Sequence, residues 1–480
     1  MTADQWYQKL PGASCAVIGL GISNRPLIEL LLRLGARVTA RDRKTEEALG
    51  EYALHLREQG VVLRLGEAYL EDLEEEILFR APGLRPDLPA FAEAVKRGAI
   101  LSSEVELFLE MTPATVLGIT GSDGKTTTTT VAGEILRVES ARTGGGRVFV
   151  GGNIGIPPSS FLEQTQKGDL VVLELSSFQL QNATRSPLIS AITNLTPNHL
   201  NWHTDMQEYA DAKRRIFAFS PNQRLVANAE DQTVREMALS SGRCVTWFSS
   251  VRRSAEAFSS LLRKGDRAVF ADADGRLLLF DGRETRYILH RKDIFLPGVH
   301  NLENYMTAIA LTEDYASPES VLQVARSFRG VPHRLELVCE RGGVKYYNSS
   351  IDSSPTRTRA ALSALPEKPI VICGGYDKKL SFAPLAEALA QKAKAVVLTG
   401  ATAKKIRAVI EEHGVQTGKT LPILEDPDFV GAVRLAREYA EEGDTVLLSP
   451  ACASFDAFRN FEERGELFRS TVLGFADQTK

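Results

Sequence analysis

The clearest chemical signal in the sequence is a glycine-rich loop that ends in a lysine and two threonines. It covers residues 118–127, after a predicted strand and before a predicted helix. Backbone N–H groups at a helix start bind anions, and glycines let the chain approach a ligand closely. Lys125 is predicted to neutralise the β- and γ-phosphates of a nucleotide, and Thr126 to offer its hydroxyl to Mg²⁺. The common phosphate loop has glycine six residues before its lysine, where this chain has Ile119, so the loop is a variant form.

A second group of candidate residues follows the phosphate loop in the chain. Glu174 ends a predicted apolar strand, and a carboxylate at the carboxyl end of a parallel strand can hold Mg²⁺ against phosphates; a surface acid is the alternative. His199 and His203 would share a face if helical, yet no third soft ligand at useful spacing supports zinc. Lys213 stands beside two arginines on a predicted helix, and this pattern favours a solvated helix face.

A weaker signal lies near the N-terminus. Gly19, Gly21 and Asn24 form a partial dinucleotide fingerprint, and Asp42 follows about 20 residues later. Asn24 replaces the third glycine of the fingerprint. The pattern supports a nucleotide-like phosphate at a helix start, or simply a tight strand-to-helix turn, and it does not establish NAD binding.

Alternating strands and helices predict an α/β protein with three domains, at residues 1–111, 112–330 and 331–480. The stretch 250–295 is charged and irregular, and is predicted to hold small strands and loops. The principal predicted strands cover residues 15–18, 37–40, 61–65, 77–81, 100–102, 115–120, 170–174, 191–195, 224–227, 345–348, 370–373, 395–398 and 445–448.

Composition narrows the class of protein. The 480 residues carry a net charge of −4, without the basic excess of most nucleic-acid binders. No apolar run approaches the ~18 residues of a membrane span. The five cysteines form no C-x-x-C pair, and the N-terminus is polar, which favours a cytoplasmic protein with reduced thiols.

Several motifs in order along the chain resemble those of the Mur ligases. The motifs at 174–180 and 448–454 are similar to the branch of that family that adds D-glutamate. The phosphate loop and the His-Arg pair are also found in folylpolyglutamate synthases. The matching segments are residues 118–127, 151–157, 174–180, 194–200, 209–213, 298–304, 333–334 and 448–465.

The resemblance implies three α/β domains: an N-terminal Rossmann-like domain for the UDP-linked precursor, a central P-loop domain for ATP, and a C-terminal Rossmann-like domain for D-glutamate. The implied precursor-binding residues are Ile22, Ser23, Asn24, Asp42, Arg43, Pro82, Gly83, Asn153, Ser176 and Gln179. The implied ATP-binding residues are Gly121, Ser122, Asp123, Gly124, Lys125, Thr126, Thr127, Asn301, Asn304 and Arg334. The implied D-glutamate-binding residues are Ser353, Lys378, Ser454 and Phe461.

The implied reaction adds D-glutamate to UDP-N-acetylmuramoyl-L-alanine through an acyl phosphate and a tetrahedral intermediate, giving ADP and phosphate. The implied catalytic residues are Lys125, Lys213 and His333. Two Mg²⁺ ions would be held by Thr126, Glu174, His199 and a carbamylated Lys213, which reverses the solvated interpretation of this lysine. A monomer is expected.

One segment departs from the family pattern. The usual Asp and Lys at the start of the third domain are replaced by Ser349 and Ile351, and Asp352 and Arg357 are candidate substitutes. Three alternatives are considered. The first is another Mur ligase or a folylpolyglutamate synthase. The second is a catalytically silent nucleotide-binding protein of the same fold, which Ser349 and Ile351 favour. The third is a nicotinamide-dependent oxidoreductase, which only the partial fingerprint favours.

Overall fold

The structure, a computed structural model, describes residues 1–200, 202–296, 298–377 and 380–475. The chain divides into two compact units, Met1–Phe328 and Arg329–Lys480. The first unit contains a first and a second β-sheet, and the second unit contains the C-terminal sheet. The predicted division into three domains stays a prediction.

The first sheet is parallel, with the strand order β3-β2-β1-β4-β5. Residues 15–18 of β1 are fully buried, as expected for a central strand with helices on both faces. The strands are β1 Ser14–Ile18, β2 Arg37–Asp42, β3 Val62–Leu65, β4 Ile77–Arg80 and β5 Ile100–Ser102. The helices are α1 Ala3–Lys9, α2 Arg25–Arg33, α3 Glu46–Leu49, α4 Glu51–Glu58, α5 Pro89–Lys96 and α6 Glu104–Met111.

The second sheet comprises β6 Thr115–Thr120, β7 Val148–Gly152, β8 Leu170–Glu174, β9 Ile189–Ile192, β10 Arg224–Asn228, β11 Cys244–Ser249, β12 Arg267–Ala271, β13 Arg276–Phe280 and β14 Thr285–His290. Its order is β14-β13-β12-β11-β10-β9-β6-β8-β7. Strand β13 pairs antiparallel with both β12 and β14, and the other neighbouring strands of the sheet pair in parallel. Because β6 lies between β8 and β9, the strand order changes direction at β6, and ligands bind α/β sheets at the carboxyl ends of such strands.

Helices α7 (Lys125–Thr143) and α11 (Val299–Thr312) pack together against the second sheet. Val131 and Ile135 of α7 share one buried core cluster with Tyr305 and Met306 of α11. This packing fixes the start of α11 beside the start of α7. The helices of this part of the chain are α7 Lys125–Thr143, α8 Ser177–Leu180, α9 Met206–Ala218, α10 Gln232–Ser240, α11 Val299–Thr312 and α12 Pro318–Ser327.

The C-terminal sheet has the order β15-β16-β20-β17-β18-β19, with β15 antiparallel at the edge and the other strands parallel. Successive residues of β17 face opposite sides: Ile370 and Ile372 lie in one core cluster, and Val371 and Cys373 in another. The strands are β15 Glu336–Arg341, β16 Val344–Asn348, β17 Ile370–Gly374, β18 Ala395–Thr399, β19 Ile423–Glu425 and β20 Thr445–Leu448. The helices are α13 Pro355–Ala364, α14 Ala383–Lys392, α15 Ala403–Thr417, α16 Phe429–Tyr439 and α17 Phe461–Leu473.

The predicted α/β architecture is confirmed, with local differences. The strand predicted at 191–195 is β9, Ile189–Ile192, and the strands β7, β11, β15 and β19 were not predicted. The stretch 250–295 holds the antiparallel strands β12 to β14. Among the helices of the described residues, none is long and apolar enough to cross a membrane.

Candidate functional site

The turn of the phosphate loop, residues 121–124, joins β6 to α7. Gly121 has a φ of 147° and Gly124 a φ of 79°, in a region that residues with side chains rarely adopt. A Cβ atom at Gly121 would lie 1.8 Å from Thr193 Oγ1. The two glycines therefore permit the tight turn that presents the first N–H groups of α7 at the carboxyl end of β6, as anion binding requires.

The loop is also held from outside. The hydroxyls of Ser122 and Tyr209 share a hydrogen bond of 2.9 Å. The backbone N–H of Asp123 donates to Asn194 Oδ1 at 2.9 Å. These contacts hold the loop in the conformation that presents its N–H groups at the start of α7.

Lys125 curls over this loop. Its Nζ donates to the carbonyl oxygens of Gly121 and Ser122, each at 2.9 Å. Thr126 is buried, whereas Thr127 is half-buried. The ammonium group thus lies over the turn where the sequence predicts the phosphates.

Two predicted ATP-binding residues of α11 meet the phosphate loop. A Cβ atom at Gly124 would lie 2.4 Å from Asn304 Oδ1, so glycine permits the close approach. Thr128 Oγ1 donates to the same Oδ1 at 3.3 Å, and Asn304 Nδ2 donates to Asn301 Oδ1 at 3.4 Å. The structure brings these asparagines to the loop although Thr128 and Asn304 are 176 residues apart in sequence.

Glu174 ends β8 beside the phosphate loop, and its side chain is buried. Thr126 Oγ1 donates to Glu174 Oε2 at 2.8 Å, and Asn153 Nδ2 donates to Oε1 at 2.7 Å. The surface-acid interpretation of Glu174 is therefore wrong. Carboxylate and hydroxyl oxygens in contact are the donor types that Mg²⁺ prefers.

Lys213, on α9, is only 2% exposed, so the solvated helix face predicted from its neighbours is wrong. Its Nζ donates to Gly121 O at 2.8 Å and to Thr120 Oγ1 at 3.1 Å. Burial, and then the charge of Lys125, lower the pKa of Lys213 well below its ordinary value. The structure therefore places a lysine with a strongly disfavoured positive charge directly behind the phosphate loop.

The two histidines precede α9 instead of lying on a regular helix. His199 has a φ of 56°, and its ring meets Phe178 edge-on at 4.9 Å. Burial, followed by the charges of Lys213 and Lys125, lowers the pKa of His199. His203 is buried, and its Nε2 hydrogen-bonds Ser177 Oγ at 2.9 Å. No cluster of three or more His, Cys, Asp or Glu side chains suited to a metal occurs in the described part of the chain.

The predicted precursor-binding residues near the N-terminus lie at the carboxyl ends of β1 and β2. Ile22 is exposed and Ser23 half-buried. Asn24 is buried, and its Nδ2 donates to Gly19 O at 2.9 Å. Asp42 accepts from the backbone N–H groups of Leu20 at 2.6 Å and Lys44 at 2.8 Å. Asn24 and Asp42 thus order the turn, which leaves Ile22 and Ser23 as its accessible side chains.

Other predicted precursor contacts are distributed around this edge. Arg43 is exposed and pairs with Glu67 at 3.1 Å. Pro82 is half-buried and Gly83 exposed, and Gly83 O accepts from Trp202 Nε1 at 3.0 Å. The loop after β4 therefore contacts the segment before α9.

Ser176 and Gln179 form a capping box at the start of α8. The Ser176 N–H donates to Gln179 Oε1 at 2.9 Å, and Ser176 Oγ accepts from the Gln179 N–H at 3.3 Å. Both predicted precursor contacts thus cap a short helix that follows Glu174 directly.

Arg80, which ends β4, was missed by the sequence analysis. Its side chain is fully buried and donates to Leu84 O at 2.8 Å, Phe178 O at 3.0 Å and Asn182 Oδ1 at 2.5 Å. It thereby ties the loop after β4 to α8. A charged residue within an apolar strand was the available signal, because buried arginine is rare unless it has partners.

In the second unit, His333 lies close to Phe461. His333 has a φ of 61°, its Nδ1 hydrogen-bonds Asn348 Nδ2 at 3.0 Å, and its ring is 6.1 Å from that of Phe461. Burial lowers the pKa of His333, against the opposing effect of Glu466. A predicted catalytic residue, His333, is thus buried beside a half-buried predicted D-glutamate contact, Phe461.

The remaining predicted residues of this unit have different environments. Ser454 is buried after β20, whereas Ser353 is half-buried. The Arg334 N–H donates to Val331 O at 3.0 Å. Lys378 lies outside the described residues.

The segment that departs from the family pattern is ordered around Asp352. This carboxylate is buried and accepts from Ser449 Oγ at 2.8 Å. Burial raises the pKa of Asp352. Arg357 Nη1 donates to Ile351 O at 3.0 Å. An acid is thus present one residue beyond Ile351, whereas Arg357 contacts the backbone of the same segment.

Comparisons with known proteins identify the family of this chain. The Mur ligase middle domain matches residues 119–312, and the Mur ligase glutamate ligase domain matches residues 333–452. The UDP-N-acetylmuramoylalanine--D-glutamate ligase of Clostridium novyi is 45% identical, over 98% of this chain and 99% of that protein. The ligase of the same name from Acetivibrio thermocellus is 43% identical, over 98% of each chain.

The fold has solved counterparts. The crystal structure of UDP-N-acetylmuramate-alanine ligase MurC from Thermotoga maritima has a TM-score of 0.53 and 17% identity, covering 96% of this chain and 99% of that one. At this identity the likeness concerns the fold alone. Since the full-length relatives are far above 30% identity, the chain belongs to the Mur ligase family, and within it to the UDP-N-acetylmuramoylalanine--D-glutamate ligases.

Proposed function

We propose that this protein joins D-glutamate to UDP-N-acetylmuramoyl-L-alanine with ATP as the phosphate donor, in peptidoglycan precursor synthesis. Relatives named for this activity are 43–45% identical over nearly the whole chain. The observation that carries the proposal is the 2.8 Å contact between Thr126 Oγ1 and Glu174 Oε2. It joins the phosphate loop to the motif that resembles the D-glutamate branch.

The proposed reaction has two steps. A carboxylate oxygen of the precursor attacks the γ-phosphorus of ATP, the bond to ADP breaks, and an acyl phosphate forms. The amine nitrogen of D-glutamate then attacks the acyl carbon, phosphate leaves the tetrahedral intermediate, and the nitrogen loses a proton to give the amide. Lys125 would offset the repulsion between the carboxylate and the triphosphate, a mainly electrostatic form of catalysis.

The oxygen donors at Glu174 and Thr126 fit Mg²⁺, and we assign Thr126, Glu174, His199 and Lys213 to two ions. Bound Mg²⁺ would supply further positive charge at the phosphates. Burial disfavours the charged form of Lys213. A neutral amine adds to CO₂ and releases a proton, which would give Lys213 the carboxylate oxygens that suit Mg²⁺.

The substrate contacts are assigned as the resemblance to the Mur ligases implies. We assign the UDP-linked precursor to the residues around Ile22, Asp42 and Gly83, together with Asn153, Ser176 and Gln179. We assign ATP to the phosphate loop, Asn301, Asn304 and Arg334. We assign D-glutamate to Ser353, Ser454 and Phe461, and a catalytic role to His333. We further propose a cytoplasmic location, since ATP and nucleotide-linked precursors are cytoplasmic substrates, and a monomer, as the resemblance to the family implies.

The test is phosphate release from ATP with purified protein and defined acceptor pairs. We expect release only when UDP-N-acetylmuramoyl-L-alanine and D-glutamate are both present. Release with L-lysine, meso-diaminopimelate or a folate acceptor in their place would move the protein to a sibling activity. An absence of turnover with every pair would refute the proposal in favour of a silent nucleotide-binding protein.

A further inference from the structure

We infer that Arg464 is a positioning residue for the D-glutamate pocket of the second unit, where it orders the loop that carries Ser454. The inference rests on the proposed function, which assigns Ser454 and Phe461 to D-glutamate. Arg464 would act through the backbone of that loop and not by touching the substrate.

The guanidinium of Arg464 bridges two separate chain segments. The residue lies in the first turn of α17 and is 2% exposed. Its Nε donates to Ser350 Oγ at 3.0 Å, and its Nη2 donates to Ser350 O at 2.8 Å and to Cys452 O at 3.2 Å. Its Nη1 donates to Ala453 O at 3.1 Å. One side chain therefore satisfies carbonyl groups on both segments.

All of these acceptors are neutral. The planar geometry of the Arg464 guanidinium therefore matters more for this bridge than pairing with an opposite charge. Burial lowers the pKa of Arg464 to about 10. A guanidinium presents its N–H donors as a rigid planar fork, whereas a lysine ammonium is a point charge on a flexible stem. Arginine is thus the side chain suited to hold two backbones at a set distance.

The two bridged segments follow neighbouring strands. Ser350 comes after β16, and Cys452 and Ala453 come after β20, which pairs with β16. Ser454 is the next residue and is buried. Ser350 Oγ also donates to Phe461 O at 2.7 Å. The network around Arg464 therefore includes the backbone beside Ser454 and the backbone of Phe461.

The loop after β20 has a conformation that needs support. Ala451 has a φ of 58°, and such strained residues persist only where the surroundings fix them. A third segment joins at Ala453, whose carbonyl accepts from the Tyr376 N–H at 2.9 Å. A Cβ atom at Gly375 would lie 2.3 Å from the same carbonyl oxygen. Contacts with α17 and with the loop after β17 thus converge on the residue that precedes Ser454.

The test compares Arg464→Lys, Arg464→Met and Ser350→Ala with the control Arg459→Lys in the full-length protein. Arg459 lies in the same motif, but its side chain is 87% exposed. Two readouts are needed: steady-state KM for each of the three substrates, and amide hydrogen exchange of residues 449–456 without ligand. If Arg464→Met does not fold, the lysine and Ser350 variants decide.

For Arg464→Lys we expect KM for D-glutamate to rise about tenfold to a hundredfold, because a displacement near 1 Å has effects of this size. KM for ATP and for the precursor should stay within about twofold, and exchange at 449–456 should accelerate, with Arg459→Lys unchanged in both readouts. Equal changes in all three KM values, or unchanged exchange, would overturn the inference. A wild type that does not use D-glutamate would refute the proposed function, and the exchange readout would still decide whether Arg464 orders the loop.

Discussion

The carboxyl edges of the second sheet and of the C-terminal sheet both gather buried polar groups, but they do so differently. At the second sheet, Thr126 and Asn153 donate directly to Glu174, and Lys213 lies behind the phosphate loop. At the C-terminal sheet, Arg464 donates to neutral groups of Ser350, Cys452 and Ala453. The edge of the second sheet holds charged groups suited to a charged ligand. At the edge of the C-terminal sheet, a buried charge instead fixes the conformation of the backbone.

Loss of Lys125 should have the largest effect at the second sheet. We expect Lys125→Ala to lower kcat by about 10³-fold or more, because the developing charge on the phosphates loses a fixed cation. The measurement is phosphate release with saturating precursor and D-glutamate. The exposed Lys264→Ala is the matched control. A Lys125→Ala variant with more than about a tenth of wild-type turnover would contradict the assignment of this edge to the phosphates of ATP.

The next prediction concerns Lys213, the buried lysine behind the phosphate loop at the edge of the second sheet. Lys213→Ala should lose about 10²-fold in kcat, and millimolar acetate or formate should restore part of it if the missing group is a carbamate. Activity against carboxylate concentration is the measurement, and chloride at equal ionic strength is the control. An inactive variant that no short carboxylate restores would argue against carbamylation.

Local pattern predicted the parts of the molecule that are continuous in the chain. The phosphate loop and the end of β8 at Glu174 could be located because glycines and an apolar run mark them directly. The burial of Lys213 could not, since its partner Thr120 is 93 residues away and its sequence neighbours are charged. The sequence identified Arg464 only as a member of the matching motif. Its bridging contacts could not be predicted, because they depend on the fold of the loops after β16 and β20.

Arg80 tests whether a buried arginine that donates to neutral acceptors also stabilises the backbone in the first unit. Arg80→Met should lower the free energy of unfolding by about 4 kcal/mol, since Leu84 O, Phe178 O and Asn182 Oδ1 lose their buried donor. Urea unfolding followed by tryptophan fluorescence reports on this unit, because Trp6, Trp202 and Trp247 all lie in it. The exposed Arg57→Met is the control, and equal stability of the two variants would contradict the scaffold interpretation.

The smallest expected effect is on the free energy of unfolding and concerns Glu104. This residue tests whether a buried carboxylate away from the phosphate loop keeps its charge. It lies at the start of α6, accepts from the Ser159 N–H at 2.6 Å, and burial raises its pKa to about 7 from 4.5. Between these values the folded state binds more protons than the unfolded state, so rising pH lowers stability through this group and the loss is complete above pH 7.

Glu104→Gln should remove this dependence. The stability of the variant relative to wild type should therefore grow from near zero at pH 4.5 to at most about 3 kcal/mol at pH 8. Urea unfolding by tryptophan fluorescence across this range is the measurement, with the exposed Glu93→Gln as control. A stability difference that does not change with pH would mean that Glu104 stays ionised in the fold. Buried charge in the first unit would then be tolerated away from the phosphate loop as well as beside it.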